Sequence, residues 1–113
     1  MAFEKEATLK GSKYIYSLNP LVKKFTLRDN GFVQTMNGNH QFVRTLEATP
    51  QSKEGFRLKI TVNKDLQTFK MGVTTKDGLR TVDLFKKEEF RMMQEKFYFL
   101  MEGMIDRGVF EKK

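Results

Sequence analysis

The sequence predicts a single α+β domain over residues 1–113, with strands packed on both sides of one long C-terminal helix. Two patterns support this prediction. Apolar and polar residues alternate through much of residues 3–85, whereas residues 87–107 repeat their apolar residues with helical spacing. A third observation is composition: 39% hydrophobic residues, with eleven Phe and seven Met, suffice for one modest core in a chain of 113 residues.

The first half of the chain is predicted to form two hairpins. Gly11-Ser12 turns residues 3–9 back on residues 14–18. Asn37-Gly38-Asn39 joins two further strand-like runs, and Asn-Gly between such runs is a strong hairpin signal.

A capped helical turn is predicted between these hairpins, over residues 25–32. Thr26 can cap it by accepting a hydrogen bond from the backbone N–H of Asp29. Asn30 or Gly31 can take the left-handed conformation that ends it.

A meander is predicted for the next part of the chain. After a polar loop at residues 49–55, three strands are expected at 56–62, 69–73 and 79–85, with a turn at 75–78 between the last two. In the first two strands apolar residues alternate with polar ones, so one face of each should be buried and the other should meet solvent.

The helix at residues 87–107 has a wide apolar stripe, as expected of a helix that packs on a sheet. Within an arc of about 140° lie Phe90, Met93, Phe97, Leu100, Met101, Met104 and Ile105. A second, smaller stripe of Met92, Phe99 and Gly103 runs along the opposite side. We expect another layer of the same chain to cover this second stripe; a partner, including a second copy, is the alternative.

Positive charge is concentrated in the strand-forming part of the chain. The net charge is +7, and residues 1–87 hold 16 Lys and Arg against 8 Asp and Glu, whereas residues 88–113 hold 5 against 6. Arg57, Lys59 and Lys70, with Arg80, are predicted to share the solvent face of the meander. Such a face can bind nucleic acid, but it lacks the interleaved aromatic residues of a stacking platform, so we expect an ordinary solvated surface.

The residue inventory excludes several kinds of chemistry. With no cysteine and a single histidine, His40, the chain cannot supply the usual ligands of a structural zinc site or a Cys–His nucleophile, and we expect no metal and no cofactor. The eight glycines are isolated, so neither a dinucleotide fingerprint nor a phosphate-binding loop is present. Asp83 lies just before the long helix, and Glu88 and Glu89 lie in its first turn, where acidic residues complement its dipole.

A candidate ligand site is the tight turn that carries Arg28, Asp29 and Asn30, because its charged and polar groups could hold a small anionic or zwitterionic molecule. The same residues also suit a capped turn with no ligand. His40, just after the second hairpin turn, is the other candidate, although an exposed polar residue is ordinary there. An enzyme that uses Asp29, His40 or a buried lysine as acid or base is the catalytic alternative.

No apolar run exceeds five residues, and the first residues lack a signal-peptide core. We therefore expect a cytoplasmic protein with no membrane-spanning helix, in agreement with the absence of cysteine.

The chain resembles a small uncharacterised family from lactic acid bacteria and their relatives. The resemblance extends over essentially the whole length and is clearest in Met1–Lys5, in Tyr16–Pro20, in Val22–Phe32 and in Lys64–Met71. It implies an α+β fold in which two antiparallel sheets pack against a single helix. It also implies a role in amino-acid metabolism, based on genomic neighbours such as cysteine desulfurases.

The same family resemblance includes a remote likeness to S-adenosylmethionine decarboxylases, which cleave themselves at a Glu-Ser bond. Here the serines follow Gly11, Tyr16 and Gln51, so that activity does not carry over. A persulfide relay is also excluded, because it needs a cysteine thiolate.

The function expected from the sequence is therefore a non-catalytic module, a monomer or homodimer, that binds a small molecule or a protein such as cysteine desulfurase. A small enzyme and a basic nucleic-acid-binding sheet are the alternatives.

Overall fold

The computed structural model describes residues 2–47 and 55–113 and shows two antiparallel sheets with a C-terminal helix, as predicted. The elements in chain order are β1 (Glu6–Ala7), β2 (Tyr16–Leu18), α1 (Lys24–Asp29), β3 (Val33–Gln34), β4 (His40–Glu47), β5 (Gly55–Val62), β6 (Phe69–Thr75), a 3₁₀ turn (Glu88–Phe90), α2 (Arg91–Asp106) and β7 (Phe110–Lys112). The polar loop predicted at residues 49–55 lies outside the described residues, except for Gly55, which begins β5.

The larger sheet has four antiparallel strands in the order β3-β4-β5-β6. The predicted hairpin around Asn37-Gly38-Asn39 is confirmed as the β3–β4 connection. The predicted alternation is confirmed as well, because Leu58, Ile60 and Val62 of β5 are fully buried on one face. We call this the inner face of the sheet, and the opposite side its outer face.

The smaller sheet has three antiparallel strands in the order β1-β2-β7. Its β1–β2 pair is the predicted first hairpin, with shorter strands than expected and Ala7 opposite Tyr16. Its third strand, β7, follows the long helix and was not predicted; Phe110 lies opposite Leu18 and is fully buried.

The core lies where α2 meets both sheets. Helix α2 contacts β4 and β5 of the larger sheet and β7 of the smaller one. Met93, Phe97, Met101 and Met104 of the predicted wide stripe are buried, and the Tyr16 ring meets Phe97 edge-on at 6.1 Å. Each such side chain contributes about 1.5–3 kcal/mol by leaving water.

No helix in the described part of the chain is long and apolar enough to cross a membrane.

The second stripe of α2 is a correction to the prediction. Met92 is 57% exposed and Phe99 is 76% exposed, so no other layer of the described chain covers them. The physical reason is that both sheets pack within the wide stripe, which leaves the opposite side of the helix to solvent.

Helix α1 confirms the predicted helical turn but not its cap. The helix begins after Lys23 without a side-chain cap, and Thr26 lies inside it, where its carbonyl accepts a hydrogen bond from the Asn30 amide at 2.8 Å. Gly31, with φ of +90°, takes the left-handed conformation that follows the helix end.

The strand predicted at residues 79–85 is wrong. Only Thr81 pairs with the sheet, through an isolated bridge to Thr74, and Val82 donates its N–H to the carbonyl of Val73 at 2.8 Å. The chain then leaves the sheet edge because Leu84, 2% exposed, enters the core.

The edge of β6 that does not pair with β5 is therefore covered at both ends by short pairings. Glu4 exchanges two backbone hydrogen bonds of 2.9 Å with Phe69 at one end, and the Thr74–Thr81 bridge lies at the other. Between them the edge borders two irregular segments, residues 8–10 and 81–84.

Candidate functional site

A cleft of about 580 Å³ opens beside β6, between the outer face of the larger sheet and the two irregular segments. We call it the Gly72 cleft. Its floor consists of side chains and backbone from β5 and β6, namely Lys59, Thr61, Lys70, Met71, Gly72, Val73 and Thr74. Its wall consists of Thr8, Leu9, Lys10, Thr81, Val82, Asp83 and Leu84. This volume falls within the range of small-molecule sites.

Strand alternation and register place the charged residues of this cleft. Lys59 lies directly opposite Gly72 in the β5–β6 pair, and Lys70 is two residues before Gly72 on the same face. Asp83 lies in the wall, two residues after the Thr74–Thr81 bridge, where the chain has left the sheet edge. Lys59 and Lys70 of the floor and Asp83 of the wall thus line the same cleft.

Gly72 keeps the middle of the floor open. A Cβ built at this position would meet no heavy atom within 4 Å, in contrast to Gly55, where it would approach Leu46 O at 3.1 Å. A glycine inside a strand weakens the strand and often marks a place where a ligand or another backbone comes close. Here the space that a Cβ would occupy is open, so a ligand would have room above Gly72.

The charges around the cleft are not neutralised by one another. Within residues 2–47 and 55–113, no ion pair involves Lys10, Lys59 or Asp83. The Lys70 ammonium lies over the Phe3 ring, 4.7 Å from its centre. The cleft thus presents three ammonium groups and one carboxylate, an arrangement that favours an anionic or zwitterionic ligand.

A smaller depression of about 300 Å³ adjoins this cleft and shares Lys10 and Asp83 with it. Lys86 and Phe85 complete its border, together with Gly11. A ligand longer than the main cleft could therefore extend past Asp83 towards a further ammonium group.

The structure places the predicted turn residues elsewhere, at the β3–β4 end of the larger sheet. Arg28 and Asp29 are exposed on α1. The Asn30 side chain is engaged twice: its amide donates to the Thr26 carbonyl, and its oxygen accepts from the Arg107 guanidinium. None of the three lines the Gly72 cleft.

His40 is a correction, because it is buried instead of exposed. It is 5% exposed at the start of β4, and its Nε2 has no hydrogen-bond partner among the described residues. Burial, with the positive charge of Lys24, lowers its pKa from the usual value of 6.5. His40 does not line the Gly72 cleft.

Three of the four predicted basic residues do share one face. Arg57, Lys59 and Lys70 occupy outward positions of β5 and β6. Arg80 does not, because its carbonyl accepts the N–H of Thr75, an inward position of the alternation. Only Lys59 and Lys70 line the cleft.

Sequence reasoning missed Gly72, Asp83 and Lys10 as site residues. A signal for Gly72 was available: it occupies an outward position of an otherwise regular strand, where a side chain would be expected. Asp83 was assigned to the start of the helix, where an acidic residue complements the dipole, whereas it lines the cleft from the segment that follows the Thr74–Thr81 bridge.

Among the described residues, no group of three or more His, Asp or Glu side chains is placed to hold a metal ion. The donors of the cleft are ammonium, hydroxyl and one carboxylate. These groups suit hydrogen bonding to an organic ligand.

The fold and the cleft define a small α+β protein with a cleft at a sheet edge. The family model of DUF1831, described as "Putative amino acid metabolism", matches residues 1–111, and the chain belongs to this family. Its fold is similar to the crystal structure of a DUF1831 family protein from Lactobacillus plantarum, with a TM-score of 0.89 and 34% identity. The match covers 100% of this chain and 99% of that one. No curated protein is recognisably similar to the chain.

Proposed function

We propose that the protein binds a small carboxylate-bearing metabolite of amino-acid metabolism in the Gly72 cleft, without catalysing its conversion. The observation that supports this proposal is the group of charged side chains that line the cleft around Gly72 and, within the described part of the chain, form no ion pairs with one another. Hydrogen bonds between an ammonium group and a carboxylate are stronger than neutral ones, so Lys59 and Lys70 suit such a ligand.

The cleft walls favour a ligand with an apolar part. Leu9, Val82 and Leu84 line the cleft beside the threonine hydroxyls. Ligand sites are commonly apolar with a few polar groups that fix orientation, and this lining has that composition. The non-catalytic assignment rests on the residue inventory, because the chain has no cysteine and its one histidine is buried elsewhere.

A role beside a cysteine desulfurase is a narrower hypothesis that the family resemblance suggests. The chain has no cysteine, so it would act there as a non-covalent partner or regulator. The cleft would then serve as the sensor of a metabolite.

Binding is tested by a thermal-shift screen with the twenty L-amino acids, their N-acetyl derivatives and the corresponding 2-oxo acids. A ligand at 100 times its Kd should add about 2.7 kcal/mol to the free energy of unfolding and raise Tm by several degrees. If no compound of the panel raises Tm, the proposal is wrong.

Gly72→Val should remove this response without destabilising the protein. The Cβ of the new side chain meets no heavy atom within 4 Å and projects into the open space above the floor, while a β-branched residue is preferred over glycine in a strand by roughly 0.5–1 kcal/mol. Thr45→Val, on the outer face of β4 and outside the cleft, is the matched control and should still respond. An unchanged ligand response in Gly72→Val would place the binding site elsewhere.

A further inference from the structure

The presence of Lys59, Gly72 and Asp83 in one cleft carries a more specific inference, which rests on the proposed function. Lys59 lies opposite Gly72 on β5, and Asp83 lines the same cleft from the wall, two residues after the Thr74–Thr81 bridge. Gly72 contributes no side chain to the floor, and the space above it is open.

Opposite charges that line one cleft can pair with each other. No ion pair involves Lys59 or Asp83 among the described residues, although both line the same cleft. The floor carries Lys59 and Lys70, the latter two positions from Gly72 on β6, and the wall carries Lys10 and Asp83, the only carboxylate of the lining. The cleft therefore holds charges of both signs, with two ammonium groups on the floor and the one carboxylate at the wall.

A cleft that holds charges of both signs matches a ligand that also carries both. We propose that the ligand is a free α-amino acid whose carboxylate is bound by Lys59 and Lys70 and whose ammonium group is bound by Asp83, above Gly72. Each charge of the ligand then meets an opposite charge. Its side chain lies along Leu9 and Leu84, which favours apolar amino acids.

Competing ligand classes each leave one side of the cleft unsatisfied. A 2-oxo acid offers the carboxylate but no hydrogen-bond donor for Asp83, and an N-acetyl amino acid offers only one neutral amide N–H, so neither replaces the charged hydrogen bonds that an ammonium group donates. An amine without a carboxylate leaves the lysines unpaired. Recognition at both ends therefore gives specificity for the free amino acid over its acylated and oxidised derivatives.

The test compares matched ligands on the wild-type protein by isothermal titration calorimetry. Each L-amino acid that raises Tm is titrated alongside its N-acetyl derivative and its 2-oxo acid. We expect the free amino acid to bind at least tenfold more tightly than either derivative. Equal or tighter binding of the derivatives overturns two-ended recognition but leaves the proposed function standing, whereas no binding by any compound overturns both.

Asp83→Asn then tests whether Asp83 is the residue that binds the ammonium group. It should weaken binding of the free amino acid at least tenfold and leave the affinity for the derivatives unchanged or higher, because the repulsive carboxylate has been removed. Asp29→Asn, an exposed carboxylate at the opposite edge of the larger sheet, is the matched control and should change neither affinity. If Asp83→Asn retains the full preference for the free amino acid, the assignment of Asp83 is wrong.

Lys59→Met and Arg57→Met test how the carboxylate of the ligand is bound. The two residues lie two positions apart on the outer face of β5, and only Lys59 lines the cleft. Lys59→Met should weaken the binding of free amino acids and of their derivatives alike by about tenfold, since all of them carry the carboxylate. Arg57→Met should leave these affinities unchanged. Equal effects of the two variants would indicate general surface electrostatics instead of a site.

Discussion

Two edges of the four-stranded sheet carry polar residues, and they differ in what those residues contact. At the β3–β4 edge, Asn30 is bonded to Thr26 and Arg107, and His40 is buried in the core. At the β6 edge, the charged side chains of the Gly72 cleft surround an open floor without neutralising one another. Residue type alone would favour the first edge as the functional site, because it holds the only histidine of the sequence.

This difference shows how a packed corner can be distinguished from a site. In the packed corner the Asn30 side chain finds both of its partners within the chain, whereas the buried Nε2 of His40 finds none among the described residues, and an unpaired buried polar group costs about 1–3 kcal/mol. Polar groups in a binding site keep their hydrogen-bonding capacity for the ligand and are spared that cost by access to water. The test of the comparison is that changes at one edge should alter stability and changes at the other should alter binding.

Phe42→Ala should have the largest effect on stability. Phe42 is 3% exposed at the β3–β4 edge, and its ring packs against Phe32 with centres 5.3 Å apart. Removal of a buried Phe side chain costs about 3–5 kcal/mol. Urea unfolding should show this loss, whereas Val43→Ala, the exposed neighbour on the outer face, should cost well under 1 kcal/mol. Similar losses for both variants would mean that the outer face is also packed.

His40 should make the protein less stable in mild acid. Its pKa in the folded protein is lowered by burial and by Lys24, so the unfolded chain takes up the proton first as pH falls through 6.5. The stabilisation by neutral His40 is complete above pH 6.5 and decreases until the lower folded-state pKa is reached. Because this is the only histidine, unfolding measured between pH 7.5 and 5 isolates its effect.

His40→Leu is the variant that checks this pH dependence. It removes both the titrating group and the unpartnered Nε2, so the stability curve should become flat over the same pH range. A wild-type curve that is itself flat, or a variant curve that still falls, would contradict the burial of His40.

Much of the fold was predictable because it depends on local periodicity. The alternation in β5 and β6 and the apolar stripe of α2 follow from which residues must leave water, and one sequence suffices to show them. Boundaries that depend on distant contacts were not predictable. Residues 79–85 alternate like a strand, yet the core takes up Leu84 and the strand ends after a single bridge.

The site was less predictable than the fold for a related reason. Lys59 and Lys70 were singled out as basic residues of one face, and that much follows from alternation. Asp83 joins them in the cleft through a segment that leaves the sheet after one bridge, which is a tertiary feature with no local signature. His40 shows the converse, because a hairpin position that is usually exposed is here buried, and the charge of Lys24 in α1 acts on it.

The smallest expected effect is at the second stripe of α2, where Phe99→Lys compares two residues of one helix. Phe99 is 76% exposed, whereas Phe97, two positions earlier, is fully buried. Phe99→Lys should change the free energy of unfolding by no more than about 0.5 kcal/mol, since it leaves the core intact and adds a favourable pairing with Glu95 one turn before it. Phe97→Ala, the control, should cost about 3–5 kcal/mol. Sedimentation of both wild type and Phe99→Lys completes the test: a loss of several kcal/mol, or a dimer that Phe99→Lys splits, would show that this stripe is covered in solution by a second copy, since the described chain leaves it open.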